Sequence, residues 1–162
     1  MTEIFTVGYE GLDPKRFFAL LERCGVEMIV DVRELPVSRK PGFSKGPLSG
    51  LCDRHEIEYE HFPELGCPRH IRHEYRDDGD WASYTVQFKA YLKTQVEALA
   101  KVAELSRKRR ICLLCFEADF NFCHRTYVAQ AIAPLVGGKM RISHLTGPIQ
   151  GRVAEVREQV AA

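Results

Sequence analysis

Apolar positions along the chain fall into short continuous runs that alternate with stripes of helical spacing. The strand-like runs cover residues 3–9, 28–32, 58–62, 111–116 and 140–145. The helical stripes cover residues 14–24, 48–55, 81–107 and 126–136, and a terminal amphipathic helix is predicted at 151–162. This alternation predicts a single α/β domain over residues 1–162. In that domain, helices flank a mostly parallel, Rossmann-like sheet of about five strands in three layers.

Residues at the ends of the predicted helices support these boundaries. Asp13 followed by Pro14 is a typical helix start, Gly25 is a typical helix end, and Asp80 can cap the helix over residues 81–107. Aromatic residues three or four positions apart in that helix indicate core packing rather than a cofactor site. Residues 69–80 are polar and show no periodicity, so they are predicted to form an irregular surface insertion.

Composition narrows the class of protein. A length of 162 residues fits one hydrophobic core, and the net charge of +1 gives no general argument for nucleic-acid binding. No apolar run is long enough to span a bilayer, and the first residues form a strand without the basic segment of a signal peptide. A chain of this size needs no disulfides, so we expect its six cysteines to be reduced and the protein to be cytoplasmic.

The densest chemistry of the chain follows the apolar run at residues 111–116. Acid, thiol, imidazole and guanidinium groups gather in residues 117–125, between that strand and the next helix. Ligands of open α/β sheets bind at the carboxyl ends of the strands, so this position predicts a functional site. Other strand ends and loops should bring further side chains to the same edge of the sheet: Tyr9, Glu10, Asp31, Arg33, Glu64 and His144.

The loop over residues 34–47 contains three prolines and three cations against one acid. Two interpretations stay open at this point. The loop is either a solvated basic segment or a flap that binds an anion, because long loops in compact domains often carry function. The second interpretation makes Ser38, Arg39 and Lys45 ligand contacts.

His124 and Arg125 fall in the first turn of a predicted helix. Free N–H groups and the helix dipole attract anions there, so a cation at this position is unfavourable for the helix itself. Such a misfit is expected at functional sites. Arg125, together with Arg33, therefore either binds an anion or pairs with a nearby carboxylate as a structural device.

The cysteines allow several interpretations. Cys112 and Cys115 have the spacing of a metal-binding pair, but residues three apart in a strand point to opposite faces, which excludes that pair. A site from Cys115, Cys123, His124 and a carboxylate is geometrically conceivable, but no second spaced pair supports it, so we predict no metal site. A thiolate nucleophile at Cys115 is disfavoured because Glu117 would raise its pKa, and a buried structural role fits better.

Several short motifs occur together in this chain: VGYEG, VDVR followed by P-x-S-R, PGFSK, PELG, and LLCFEAD followed by CHR. In this combination the chain resembles the family catalogued as domain of unknown function 488, over residues 5 to about 132. The motif residues are Gly8, Tyr9, Gly11, Asp31, Arg33, Ser38, Arg39, Phe43, Ser44, Glu64, Leu65, Gly66, Cys115, Glu117, Cys123, His124 and Arg125. The resemblance implies an α/β fold in a compact, soluble bacterial or archaeal protein, and it implies no activity.

We expect the strand ends to form a pocket for a phosphate-bearing ligand, either a nucleotide or nucleic acid. The expected ligand-binding residues are Tyr9, Arg33, Ser38, Arg39, Lys45 and Arg125. The expected catalytic residues are Glu117, His124, Asp31 and Cys123, with Glu117 or Asp31 as a general base and His124 as an acid or base.

Three functions stay open at this point. The protein hydrolyses or transfers a group on that ligand, or it is a non-catalytic adaptor for nucleic acid or protein, or it is a metal- or thiol-dependent redox or sulfur enzyme. The sequence names no cofactor and no oligomeric state, and it does not decide whether the protein is an enzyme.

Overall fold

The computed structural model describes residues 1–146 and the backbone of residues 155–161. Its strands are β1 (Thr2–Gly8), β2 (Met28–Asp31), β3 (Glu58–His61), β4 (Ile111–Cys115), β5 (Met140–Thr146) and β6 (Glu155–Ala161). They form one sheet in the order β3-β2-β4-β1-β5-β6. The first five strands are parallel, and β6 pairs antiparallel with β5. The predicted α/β fold with a mostly parallel sheet is confirmed.

In the described part of the chain, six α-helices connect and cover these strands. They are α1 (Pro14–Arg23), α2 (Lys45–Arg54), α3 (Arg69–Asp78), α4 (Trp81–Leu92), α5 (Val96–Lys108) and α6 (His124–Ile132). Asp13 and Asp80 cap α1 and α4 as predicted, because each carboxylate accepts a hydrogen bond from a backbone N–H three residues later. Among the described residues, no helix combines the length and apolar character needed to cross a membrane.

Two apolar layers cover the two faces of the sheet. Helices α1 and α2 pack on one face through Phe17, Phe18, Leu21, Leu48 and Cys52. Helices α4, α5 and α6 pack on the other face through Tyr84, Phe88, Val102, Val128 and Ile132. Successive side chains of β4 point to opposite faces of the sheet. Cys112 packs in the layer that contains α1, and Leu113 packs in the layer that contains α6. Cys115 follows the parity of Leu113, so Cys112 and Cys115 point to opposite faces, as predicted.

Residues 69–80, predicted to be irregular, instead form helix α3 over most of their length. Pro68 precedes the helix, and Gly79 ends it with a φ of 64° while its N–H donates to the carbonyl of Tyr75. Ile71 and Tyr75 lie one turn apart and pack against the core. The prediction was wrong because only these two apolar residues mark the inner face of an otherwise charged segment.

The helix predicted over residues 81–107 is two helices, α4 and α5, which are separated at residues 93–95. The hydroxyl of Thr94 donates to the carbonyl of Tyr91 (2.6 Å), and the N–H of Gln95 donates to the carbonyl of Leu92 (3.0 Å). These local bonds replace the regular helical pattern and close the end of α4. The apolar stripe continues across the break, and for this reason the sequence pattern does not reveal it.

The terminal helix predicted over residues 151–162 is wrong where the structure describes it. Residues 155–161 form β6, which pairs with β5 from Thr146↔Glu155 to Met140↔Ala161. Pairing with an otherwise open sheet edge outweighs the weak amphipathic pattern, because strand formation depends strongly on tertiary context. The rest of that prediction, at 151–154 and 162, lies outside the described residues.

The two central strands, β4 and β1, mark a reversal of chain direction across the sheet. The chain leaves β1 through α1 on one face and continues to β2, whereas it leaves β4 through α6 on the other face and continues to β5. A crevice opens between the two connections at the carboxyl ends of such strands, and it is the usual ligand site of open α/β sheets. The topology therefore places the segment after β4 at this crevice.

Candidate functional site

A cavity of about 880 Å³ lies at the carboxyl ends of β1, β2 and β4. Aromatic side chains form its walls: Tyr9, Tyr75, Trp81, Tyr84, Phe116 and Phe122. Cations line its rim: Arg33, Arg39, Lys40, Arg72 and Arg76. An acid, two thiols and an imidazole line its floor: Glu117, Cys115, Cys123 and His124. The site predicted at this edge of the sheet thus corresponds to an actual hollow with a mixed apolar and cationic lining.

The floor of the cavity is a tight cluster of four polar side chains. Glu117 Oε2 lies 3.2 Å from Cys115 Sγ and 3.3 Å from Cys123 Sγ. His124 Nδ1 lies 3.5 Å from Cys115 Sγ and 4.0 Å from Cys123 Sγ. On its other side, His124 Nε2 lies 2.6 Å from the carbonyl oxygen of Val32. Since a carbonyl only accepts, Nε2 carries a proton, and Nδ1 faces the two thiols.

Local sequence explains how these side chains meet. Cys115 ends β4, and a short 3₁₀ turn (Phe120–Phe122), capped by the carboxylate of Asp119, returns the chain to the cluster. Cys123 then takes the N-cap position of α6, with His124 as the first helical residue. The cluster is therefore held by a strand end and a helix start, which are rigid elements.

Gly8, the last residue of β1, allows the loop after β4 to approach closely. A Cβ atom at this position would lie 1.7 Å from the carbonyl oxygen of Glu117. Backbone bonds from Tyr9 N to Cys115 O (3.2 Å) and from Glu10 N to Phe116 O (2.8 Å) continue the pairing beyond the strands. Only glycine permits this contact, which sets the height of Glu117 above the sheet.

The pKa values of the two thiols on the cavity floor are shifted in opposite directions. Burial opposes the charged form of Cys123, but the thiol of Cys115 and the nearby charges of Arg125 and His124 outweigh burial and lower the pKa of Cys123. The hydrogen bond to Cys123 and burial raise the pKa of Cys115. The N-cap position of Cys123 also favours negative charge, so Cys123 is the more acidic thiol of the pair.

Glu117 and His124 respond to the same charge. Burial, and then the negative charge of Cys123, raise the pKa of Glu117 above its ordinary value. Burial alone would lower the pKa of His124, but the hydrogen bond and charge of Cys123 raise it overall. Four ionisable groups thus share one small, largely dehydrated volume, which is typical of functional sites.

Asp31 and Arg33 form a buried bidentate pair behind the cavity wall. Arg33 donates from Nε and Nη2 to the two carboxylate oxygens of Asp31, at 2.8 and 2.7 Å. Its Nη1 donates to the carbonyl of Phe43 (2.7 Å) and contacts the hydroxyl of Tyr9 (3.4 Å). Tyr59 donates to the same carboxylate. Arg33 reaches the cavity with most of its donors already used, and Asp31 is fully buried, so the geometry favours the structural interpretation of this pair.

Arg125 lies under the loop after β4 and is fully buried. Its guanidinium donates to the carbonyls of Glu117 (2.5 Å) and Ala118 (3.3 Å) and to the hydroxyl of Thr6 (3.2 Å). Neither sequence-based interpretation describes this arrangement, because its described hydrogen bonds go to uncharged oxygens rather than to a ligand or a carboxylate. Arg125 fixes the backbone that carries Glu117.

The residues of the 34–47 loop have different roles. The amide of Ser38 donates to the hydroxyl of Ser44, which in turn donates to the carbonyl of Ser38, so the loop closes on itself. Lys40 Nζ donates to the carbonyls of Tyr9 (3.1 Å) and Leu12 (2.9 Å) and tethers the loop to the turn after β1. Arg39 is exposed at the rim of the cavity, whereas Lys45 begins α2 and is not one of the residues that line it.

The sequence did not predict the cavity wall that is formed by residues of α3 and α4. Arg72, Tyr75 and Arg76 come from α3, and Trp81 and Tyr84 come from α4. The sequence pattern places the first three in an irregular insertion and the last two only in the core. A sequence signal could have identified α3. Ten residues separate Pro68 from Gly79, which are typical flanks of a helix, and two apolar residues among them, Ile71 and Tyr75, lie one helical turn apart.

Three residues expected at this edge do not line the cavity. Glu64 lines a separate cavity of about 690 Å³ near the start of α5. His144 is buried in β5, 2.6 Å from the hydroxyl of Thr6, with its ring stacked on Phe120. Glu10 is exposed and accepts a hydrogen bond from the amide of Ala118, which steadies the loop after β4.

Comparison with known proteins identifies a family for the chain and no individual relative. No curated protein and no solved structure matches the chain. The family model described as "Domain of unknown function DUF488" matches residues 13–132, which include β2, β4, α6 and the four residues of the cavity floor. Since this match covers most of the chain, the protein belongs to the DUF488 family.

Proposed function

We propose that the cavity binds a phosphate-bearing ligand, either a nucleotide or the end of a nucleic-acid strand, and that the protein hydrolyses it or transfers a group from it. The observation that carries this proposal is the pairing of aromatic walls with an arginine rim above a buried reactive cluster. Aromatic faces stack on bases, and guanidinium groups bind phosphate oxygens bidentately. A cavity of about 880 Å³ is large enough for such a ligand.

Two arginines are available to hold the phosphate. Arg39 and Arg76 line the cavity from opposite segments, the loop and α3, and neither has an ion-pair partner among the described residues. Arg72, by contrast, is paired with Glu34 (3.2 Å), and Arg33 is committed to Asp31. We therefore assign the anion contacts to Arg39 and Arg76 in place of Lys45 and Arg125.

Glu117 is the group best placed to accept a proton from a bound ligand or water. It lines the cavity, and its raised pKa brings its proton affinity nearer to neutral pH, where general bases are most effective. The Nε2 proton of His124 is used by the Val32 carbonyl, and its Nδ1 faces the thiols. His124 therefore acts through the cluster rather than on the ligand directly.

The single tryptophan of the chain, Trp81, reports on the cavity that it lines. Its emission should change when nucleoside mono-, di- and triphosphates or short single strands are added to the full chain. Arg39→Gln combined with Arg76→Gln should weaken binding about tenfold, which corresponds to a loss of roughly 1.4 kcal/mol of charge-assisted contact. Arg54→Gln, an exposed cation of α2 that does not line the cavity, is the matched control and should leave binding unchanged.

Turnover separates an enzyme from an adaptor. Glu117→Gln should abolish product formation from the bound ligand while changing its affinity less than tenfold, because the amide keeps the shape and loses the base. Binding that is salt-dependent and shows no product with wild-type protein would identify an adaptor instead. Equal binding by the double arginine variant and wild type would contradict the assignment of the anion site.

We further propose that the protein works in the cytoplasm. All six cysteines are free, and the buried thiols of the cavity floor require a reducing environment to stay so.

A further inference from the structure

Three donor atoms on the cavity floor, Cys115 Sγ, Cys123 Sγ and His124 Nδ1, lie within 4.8 Å of one another. Nδ1 lies 3.5 and 4.0 Å from the two sulfurs, and Glu117 Oε2 lies 3.2 and 3.3 Å from them. With bonds of about 2.0 to 2.3 Å to a tetrahedral zinc ion, neighbouring ligand atoms lie roughly 3.3 to 3.8 Å apart. We propose that Cys115, Cys123 and His124 bind a zinc ion, with Glu117 as the fourth and exchangeable ligand.

Weak sulfur hydrogen bonds link the atoms of this cluster. Both thiols donate to Oε2 of Glu117, and both sulfurs face Nδ1 of His124. A divalent cation accepts from all four atoms at once, and its binding releases the thiol protons to solvent.

The imidazole is oriented as a metal ligand. Metal-binding histidines commonly donate the proton of their second nitrogen to a carbonyl or carboxylate, which fixes the ring and the tautomer. His124 does this through Nε2 and Val32 O at 2.6 Å, and Phe88 packs edge-on against its ring. Nδ1 is thereby held towards the two sulfurs, and its movement on binding would be small.

Charge balance also fits an ion at this position. A zinc ion with two thiolates and one carboxylate carries one negative charge in excess. The fully buried guanidinium of Arg125 binds the backbone of Glu117 and supplies one positive charge next to the cluster. The group of donors, two sulfurs with one nitrogen and one oxygen, favours zinc over calcium or magnesium, which prefer oxygen ligands alone.

Catalytic zinc sites have three fixed protein ligands and one exchangeable position, whereas structural zinc sites have four fixed ligands. Three ligands on rigid elements and an acid in a loop at the cavity fit the catalytic type. Cys115 lies at the end of β4, and Cys123 and His124 lie at the start of α6, whereas Glu117 stands in the loop and lines the cavity. The use of such an ion on a bound phosphate ligand rests on the function proposed above. Occupation of the site does not, and it is measurable without any ligand.

Metal content and cobalt spectroscopy test the site directly. The full chain, purified without chelator, should contain about one zinc per chain, and apo protein refilled with Co²⁺ should show sulfur-to-cobalt charge-transfer bands and intense visible bands of a tetrahedral ion. Cys123→Ser should lower cobalt affinity at least a hundredfold, beyond the effect expected from changes outside the ligand set. Cys112→Ala, on the same strand as Cys115 but on the opposite face, should leave both spectrum and affinity unchanged.

Cysteine alkylation tests the site in wild-type protein, so the result does not depend on whether a variant folds. Zinc should protect Cys115 and Cys123 from iodoacetamide, and chelation should expose them at the cavity floor.

Absence of zinc and of a thiolate–cobalt spectrum in folded wild-type protein would overturn the proposal, as would metal that survives in a folded Cys115→Ala/Cys123→Ala variant. A Cys115–Cys123 disulfide in place of bound metal would identify a redox pair instead. None of these results alters the arginine-dependent ligand binding described above, so the two proposals fail separately.

Discussion

Gly8→Ala tests how the closest backbone approach in the site supports the cavity floor. A Cβ at Gly8 would lie 1.7 Å from Glu117 O and 2.3 Å from Glu117 C, whereas ordinary van der Waals contact begins at 3.4 Å. The backbone at Glu117 must therefore move by roughly 1.5 Å, because the obstacle is main chain that no rotamer change can remove. That movement also strains the hydrogen bond from Arg125 to the Glu117 carbonyl.

The cost should reach the upper end of the range for overpacked positions, about 3 kcal/mol. For a chain of this length, that loss corresponds to a fall in Tm of roughly 6 to 12 °C. Urea unfolding followed by circular dichroism measures it, and cobalt binding to the same variant reports whether Glu117 and Cys115 still meet. We expect affinity for the ion to fall together with stability.

Gly50→Ala provides the matched control. Gly50 lies within α2, and a Cβ there has nothing within 4 Å, so alanine should stabilise the helix by about 0.5 to 1 kcal/mol. A Gly8→Ala protein with wild-type Tm and unchanged cobalt affinity would show that this close approach does not support the cavity floor. It would mean that the loop after β4 is not held against β1.

Three further predictions concern buried charges and thiols. Asp31→Asn should cost about 3 to 5 kcal/mol in urea unfolding, since it leaves the buried Arg33 guanidinium without its anion, and an effect below about 1 kcal/mol would show that the pair is dispensable. Arg125→Met should destabilise by about 3 kcal/mol through the loss of three hydrogen bonds made by this buried guanidinium; a neutral result in the same assay would argue against its anchoring role. Burial raises the pKa of the Cys52 thiol from 9.0 to about 12, so the folded state keeps a proton that the unfolded state loses, and the unfolding free energy should fall as pH rises from about 9 towards 12. Cys52→Ala should make that alkaline decline shallower, and an identical pH profile for the variant would contradict the assignment.

The order of elements and the edge of the sheet that holds the site could be predicted from sequence. The unbroken apolar run at residues 111–116 indicates a buried central strand, and the polar residues after it can only emerge at its carboxyl end. Parity along that strand is sufficient to separate Cys112 from Cys115. These inferences need only local pattern and chain direction.

Helix α3 and its part in the cavity could not be predicted in the same way. Its inner face is marked by Ile71 and Tyr75 alone, and its arginines reach the cavity only because α3 packs beside α4. Strand β6 shows the same limit, because its pairing with β5 is a tertiary contact that residue periodicity does not record.

The four residues of the cavity floor could be named from the sequence, but their close approach could not be predicted, for a geometric reason. Metal sites are recognised in a sequence as two spaced pairs, whereas Cys115 and Cys123 lie eight positions apart and meet only because the Phe120–Phe122 turn reverses the chain. His124 gains its orientation from Val32, which is distant in sequence. Spacing rules do not detect a site assembled by a strand end and a helix start.

The most direct test of the proposed function is a crystal structure of the full chain grown with the nucleotide that changes Trp81 emission at the lowest concentration. We expect phosphate oxygens within hydrogen-bond distance of Arg39 or Arg76, and a base against the aromatic wall that contains Trp81. A nucleotide bound outside this cavity, or a cavity filled by protein side chains when ligand is present at saturation, would contradict it.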